Sequence, residues 1–227
     1  MIYYILRFSA HGTNIHSYSR AAVWIGGSNM AGNKEKSEKI LTWKENVLLY
    51  LHDGLYLLTL VLILFLLVFR IIIVSGDSMR MTLVDGDYLL LLNNLFYRQP
   101  EQGDVIVISK ESFDNGAPIV KRVIATEGQT VDIDFESGTV YVDGAVMQEP
   151  YINNLTQNNL GTVFPLTVED NCIFVLGDNR GVSRDSRDPV IGQIDKREVL
   201  GKALYLFLPG TDKDRSQRDF DRMGAIK

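Results

Sequence analysis

The chain has 227 residues, 46% of them apolar, which suits one globular domain of ordinary size with appendages. A formal net charge of -5 and the lack of a Lys/Arg stripe interleaved with aromatics argue against a nucleic-acid partner. The only cysteine, Cys172, has no partner for a disulfide and reads as a small buried hydrophobe.

Residues 1–33 show no clean period, and Met30 stands as an alternative translation start ahead of a Lys-rich stretch. From Gly54 to Phe69 no residue is charged, and Ile71 to Val74 continue the apolar run beyond Arg70. About 20 helical residues at about 1.5 Å each cross a hydrocarbon core of about 30 Å, so residues 55–74 are expected to span a membrane once. Arg70, near the end of that segment, is expected to snorkel to the interface. The run is too long for a cleaved signal peptide and no small-residue cleavage site follows it. Lys34, Lys36, Lys39 and Lys44 precede it, which puts residues 1–54 in the cytoplasm and residues 75–227 outside.

Beyond the span, β-like runs recur between turn signals: Tyr88–Leu92, Val105–Ile108, Ile119–Ala125, Thr130–Phe135, Thr139–Val142 and Cys172–Leu176. Their spacing predicts a mainly β domain of antiparallel sheets or a small barrel. Asn153 to Gly161 is polar and turn-prone and is expected to be a surface loop, with Asn154-Leu155-Thr156 a chance match to a glycosylation sequon.

The three histidines, His11, His16 and His52, all lie before or at the start of the span, so the outer region lacks the base of a Ser/His/Asp arrangement and the usual zinc ligands. A hydrolytic site there needs another base, and lysine is the substitute in Ser/Lys variants. Three segments offer candidates, each with two readings. Ser78, in Gly76-Asp77-Ser78-Met79, is a turn residue or a nucleophile close to the membrane. Lys121 alternates with Ile119, Val123 and Ala125; it is a strand-edge lysine reaching water, or one desolvated enough to act as a neutral base. The stretch from Gly177 to Asp188 is a solvated turn or a paired network of arginines and aspartates that fixes a site.

The order of these parts carries more than any one of them. A Lys-rich end, one span, Ser78-Met79 with Thr82-Leu83, Lys121-Arg122-Val123-Ile124, Gly177-Asp178-Asn179-Arg180 with Ser183-Arg184-Asp185-Ser186-Arg187, and the closing Phe220 to Ile226 together resemble the bacterial type I signal peptidases (leader peptidases). The resemblance implies a membrane-bound serine endopeptidase that removes signal peptides from exported preproteins. It places Ser78 at the nucleophile, Lys121 at the general base, and Ser183 at a hydroxyl that bonds the lysine. Asp178, Arg180, Asp185 and Arg187 fall at positions that hold the site through ion pairs, with Arg122 facing Asp178. The sequence departs from the family at Met81, where proline is usual, which is expected to cost loop rigidity, and at Gly76, where some relatives carry an oxyanion-hole serine. The oxyanion would then rely on backbone N–H groups, that of Ser78 foremost. No metal or cofactor is called for. The partners implied are preproteins with signal peptides and the lipid bilayer, into which residues around Met79–Leu83 and Leu89–Phe96 could dip, with the chain acting as a monomer. The alternative is a catalytically silent homologue that binds signal peptides or scaffolds export, with Met81 as its one argument.

Overall fold

A computed structural model of the chain describes residues 43–211 and 217–226. The expectations for residues 1–42, the Met30 start included, lie outside the described residues. The chain divides into two units, Met1–Asn46 and Val47–Lys227. Of the first, only the opening turn of helix α1 (Trp43–Val68) is described. By length and composition Asn46–Val68 can cross a membrane, and its side chains from Val47 to Leu67 are exposed throughout.

The helix therefore starts earlier and stops earlier than 55–74. It gives way at Phe69 to strand β1 (Phe69–Ile73). The reason is local: Ile71, Ile72 and Ile73 are β-branched and lose rotamer freedom in a helix, and Asn93 Nδ2 takes the Leu67 carbonyl at 3.1 Å at the helix end. Arg70 consequently sits on β1, opposite Leu91, and not in the helix.

The remaining strands are β2 (Tyr88–Asn93), β3 (Val105–Ile108), β4 (Ile119–Thr126), β5 (Thr130–Asp134), β6 (Thr139–Val142), β7 (Ala145–Val146), β8 (Leu166–Thr167), β9 (Cys172–Leu176), β10 (Ile194–Asp195), β11 (Val199–Leu208) and β12 (Gly224–Ala225). The large sheet runs β1-β2-β11-β3-β4-β9-β10, with β12 on β11, and the small one β7-β6-β5-β8. Every pairing is antiparallel. Bulges in β4 between Val123 and Ala125, and in β11 at three places, add local twist and curl the large sheet. The bulge also breaks the expected alternation in β4. Val123 stays in the cluster with Ile106 and Ile108, whereas Ala125 joins Ile124 in the apolar layer shared with β5 and β6.

A third apolar cluster forms the floor beneath the segment that joins β1 to β2. Val74, Met79 and Leu83 point into it with Leu89, Leu91, Val105 and Val120. Met79, Leu83, Leu89 and Leu91 are thus core residues and cannot dip into lipid; Met81, Leu95 and Phe96 from the same stretches are the exposed ones. The far end of the segment is tied down by Asp87. Its carboxylate accepts from Val84 N at 2.8 Å, Gly210 N at 2.7 Å and both Nη atoms of Arg222 at 3.0 and 2.6 Å.

Met81 lies at φ 93°, a region that suits glycine. The loop here has a shape proline cannot take, because proline holds φ near -65°. The expected loss of rigidity is therefore replaced by strain on an L residue. Met81→Gly is expected to raise the thermal midpoint, with a gain of up to about 1 kcal/mol, and Met81→Pro to lower it by roughly 1–3 kcal/mol. A thermal melt of the two variants beside the wild type checks both signs.

Candidate active site

Ser78 is half-buried and stands beside Met79, which the core holds. Its oxygen faces Lys121 on β4. Lys121 Nζ donates to Ser78 Oγ at 2.9 Å and to the Val120 carbonyl at 3.0 Å. The lysine is only 3% exposed. Its cross-strand partner is Ile106 and its neighbours Ile119 and Val123 belong to the same apolar cluster. Burial in these surroundings penalises the ammonium and pushes its pKa down to about 8, against an opposing pull from the carboxylates of Asp185 and Asp178. The strand-edge reading of Lys121, with its head in water, does not hold.

The Gly177–Asp188 stretch is the buried network and not the solvated turn. Asp178 accepts from Arg122 Nε at 2.9 Å, Arg122 Nη2 at 2.7 Å and Thr82 Oγ1 at 2.5 Å. Asp185 pairs with Arg187 through Nε at 2.8 Å and Nη2 at 2.9 Å, and accepts from Gly177 N at 3.0 Å. Arg180 does not pair within the stretch. It reaches Glu149 and Thr156, and its Nε holds the Gly177 carbonyl at 3.0 Å. Pairs this well buried cost roughly 3–5 kcal/mol when one partner is removed, because the other is left as an uncompensated charge.

Three bonds tie this turn to the Ser78 segment. Asn179 N donates to the Ser78 carbonyl at 3.0 Å, Asn179 Nδ2 to the Asp77 carbonyl at 2.9 Å, and Thr82 reaches Asp178 as above. The Ser78 N–H itself has no acceptor among the described residues. Ser183 makes no hydrogen bond to the lysine in this arrangement. Its hydroxyl donates to the Arg184 carbonyl at 3.4 Å, while the Nζ of Lys121 is turned to Ser78 and Val120. Ser183 packs instead against Gly177, where a Cβ would fall 2.5 Å from Ser183 Cβ and 2.5 Å from the Ser78 carbonyl oxygen. Gly177 is therefore the one point where the turn and the Ser78 backbone touch without room for a side chain. Gly177→Ala is expected to lower kcat/KM by at least about 100-fold, since a displacement near 1 Å suffices for that. It is also expected to destabilise by about 1–3 kcal/mol through overpacking. Steady-state cleavage and a thermal melt read the two effects separately.

Sequence reasoning missed Glu149, Tyr151 and Thr156 as parts of this site, and it placed Asn179 in a motif without giving it a role. The expected surface loop at 153–161 is irregular as foreseen, yet it is also a brace. Asn153 N donates to the Asp178 carbonyl at 2.9 Å, and Arg187 Nη1 to the Asn158 carbonyl at 3.1 Å. Thr156, the last residue of the sequon, is fully buried and its hydroxyl accepts from Arg180 at 2.6 Å. Nothing local in the sequence marks these residues, because each is recruited by an arginine or a backbone group far along the chain.

Comparison with known proteins gives a consistent picture. A family model described as "Signal peptidase, peptidase S26" matches residues 48–208. The "Probable signal peptidase I-1" of Synechocystis sp. is 39% identical over 145 residues, 61% of this chain and 70% of that protein. "Signal peptidase I T" of Bacillus subtilis is 31% identical over 184 residues, 78% of this chain and 89% of that protein. A signal peptidase I from Enterococcus faecalis V583, solved by crystallography, shares 31% identity over 46% of this chain and 96% of that one, with a TM-score of 0.37.

Proposed function

The chain belongs to the signal peptidase family, peptidase S26, and from that premise we propose that it is a serine endopeptidase that cuts signal peptides from preproteins, with Ser78 as nucleophile and Lys121 as general base. The observation that carries the assignment of roles is the 2.9 Å contact between Ser78 Oγ and a lysine whose burial brings its pKa down to about 8. Near that pH a substantial fraction of the lysine is a free amine. Its lone pair then accepts the Ser78 proton as Oγ attacks the scissile carbonyl carbon. The tetrahedral oxyanion forms beside the Ser78 N–H, which is unclaimed among the described residues and available to donate. Lys121 returns the proton to the departing amine, leaving an acyl group on Ser78. It next takes a proton from water, whose oxygen attacks the ester, and the acid product leaves as Ser78 regains its hydrogen. No observation favours the silent alternative.

The route for the substrate follows from strand pairing. β9 covers β4 only from Arg122 to Thr126, and β3 covers the other side from Ile119 to Arg122. Ile119 and Val120 therefore have one open edge beside Ser78, where an extended segment can lie and place its carbonyl at the serine. The resemblance to the type I signal peptidases implies a preference there for small residues at the first and third positions before the cut.

We infer the topology in the same way. The lysines before α1 favour a cytoplasmic N-terminus, and the catalytic domain then faces the outer surface, with exposed Ile71, Ile73, Leu95 and Phe96 nearest the lipid. The substrate, itself anchored by an apolar segment, meets the site at that surface. Purified full-length protein in detergent with a model preprotein tests the function. A single cut, with a new N-terminus immediately after the signal peptide, is expected; an intact preprotein at every pH would sink the reading.

A further inference from the structure

Buried cations have to be matched. Around Ser78 and Lys121 three arginines are fully buried, Arg122, Arg180 and Arg187, whereas the turn supplies only two buried aspartates, Asp178 and Asp185. Asp178 is taken by Arg122 and Asp185 by Arg187. Arg180 is left over, and an unpaired guanidinium at such depth would be costly.

Its partner comes from the connection between β7 and β8. Glu149 Oε1 accepts from Arg180 Nη2 at 2.5 Å and Oε2 from Nη1 at 3.1 Å. The side chains of the pair are 0% and 6% exposed. Two residues on, the Tyr151 ring lies 3.9 Å from the Arg122 guanidinium, and its hydroxyl donates to Glu149 Oε1 at 3.3 Å. The segment thus grips two of the three arginines at once. Arg180 passes the constraint on, because its Nε holds the carbonyl of Gly177, the residue against which the Ser78 carbonyl packs.

We propose that Glu149 is a positioning residue for the Ser78–Lys121 pair: it neutralises and orients Arg180, which pins Gly177 and the turn that grips Ser78, while Tyr151 closes the same clamp over Arg122. The inference rests on the protease reading above. Neither residue touches reacting atoms, so the effect belongs in kcat. Substrate binding along β4 does not involve the clamp and leaves KM nearly alone.

The test compares preprotein cleavage by the full-length wild type, Glu149→Gln, Arg180→Gln and the double variant, at equal folded concentration by circular dichroism. Glu149→Gln is expected to lower kcat at least about tenfold with KM within about threefold. The double variant is expected to lose no more than the worse single one, since removing the orphaned cation removes the reason for further loss. An unchanged kcat in Glu149→Gln, or losses that multiply in the double variant, overturns the inference while leaving the protease reading intact. A wild type that cleaves nothing overturns both. Should Glu149→Gln not fold, Tyr151→Leu, which keeps the ion pair, is expected to lower kcat by about threefold or more, and an unchanged value there overturns the inference.

Discussion

Ser78→Ala is expected to reduce preprotein cleavage by at least about 10⁴-fold, the scale seen when a nucleophile that works as a unit with its base is removed. The variant is expected to fold normally. Ser78 is half-buried, and its Oγ makes a single bond, to Lys121, while the residues that hold the segment in place are Met79 and Leu83 in the core and the Asp178 and Asp87 carboxylates. The backbone contacts from Asn179 do not involve the hydroxyl. Circular dichroism and a thermal melt close to wild type, with cleavage gone, is therefore the expected pair of results. Cleavage at the wild-type rate would exclude Ser78 as the nucleophile.

Lys121→Met is expected to abolish cleavage at every pH, by at least about 10⁴-fold. No histidine follows His52 in the sequence, so raising the pH supplies no replacement base. Lys121→Arg is expected to fail equally, because a guanidinium cannot give up its proton in this range. In the wild type kcat/KM is expected to rise about tenfold per pH unit up to about 8 and to level off above it, following the pKa of the buried amine. The same shift bears on stability with a definite sign. The folded-state pKa lies below the reference of 10.5, so the unfolded chain holds more protons between the two values and stability climbs with pH across that window. Below about pH 8 the full cost of burying the ammonium is present. Methionine, of similar length and uncharged, removes that cost, and Lys121→Met is expected to be no less stable than wild type there, with any advantage fading as the pH approaches 10.5. A melt series across pH 6–10 and a preprotein assay at the same points read both trends. Persisting activity in Lys121→Met would refute the base assignment.

The β strands were most legible where turn residues bracket short apolar runs. Val105–Ile108, Thr139–Val142 and Cys172–Leu176 lie where the pattern puts them, and Tyr88–Asn93, Ile119–Thr126 and Thr130–Asp134 differ by one residue. β1 was hidden because Phe69 to Ile73 are as apolar as the helix before them, and hydropathy does not distinguish a span from a strand. β11 was hidden by Gly201, Lys202 and its bulges, which interrupt the period of two. Of the site, the ordered motifs brought out Ser78, Lys121, the facing residues Arg122 and Asp178, and Asp185 and Arg187 without their pairing, which the structure adds. Local pattern could not reveal that Arg180 lacks an aspartate within its own turn. That shortage shows only when the buried charges are counted in space, and it leads to Glu149, 31 positions back along the chain.

The junction at Val68 and Phe69 has a mechanical consequence. Helix passes into sheet with no slack residue between them, and β1 is bonded along its full length to β2. The turn that follows is fastened as well, by Val74 N to the Asp87 carbonyl at 2.8 Å, Gly86 N to the Val74 carbonyl at 2.9 Å and Gly76 N to Asp85 at 2.8 Å. Anchor and serine are thus joined by a stiff strut and not by a tether. Given the proposed span, this short bonded connection would hold Ser78 at a set height above the bilayer, and the cut would be gauged as a ruler does, by distance from the membrane as well as by the side chains the site meets.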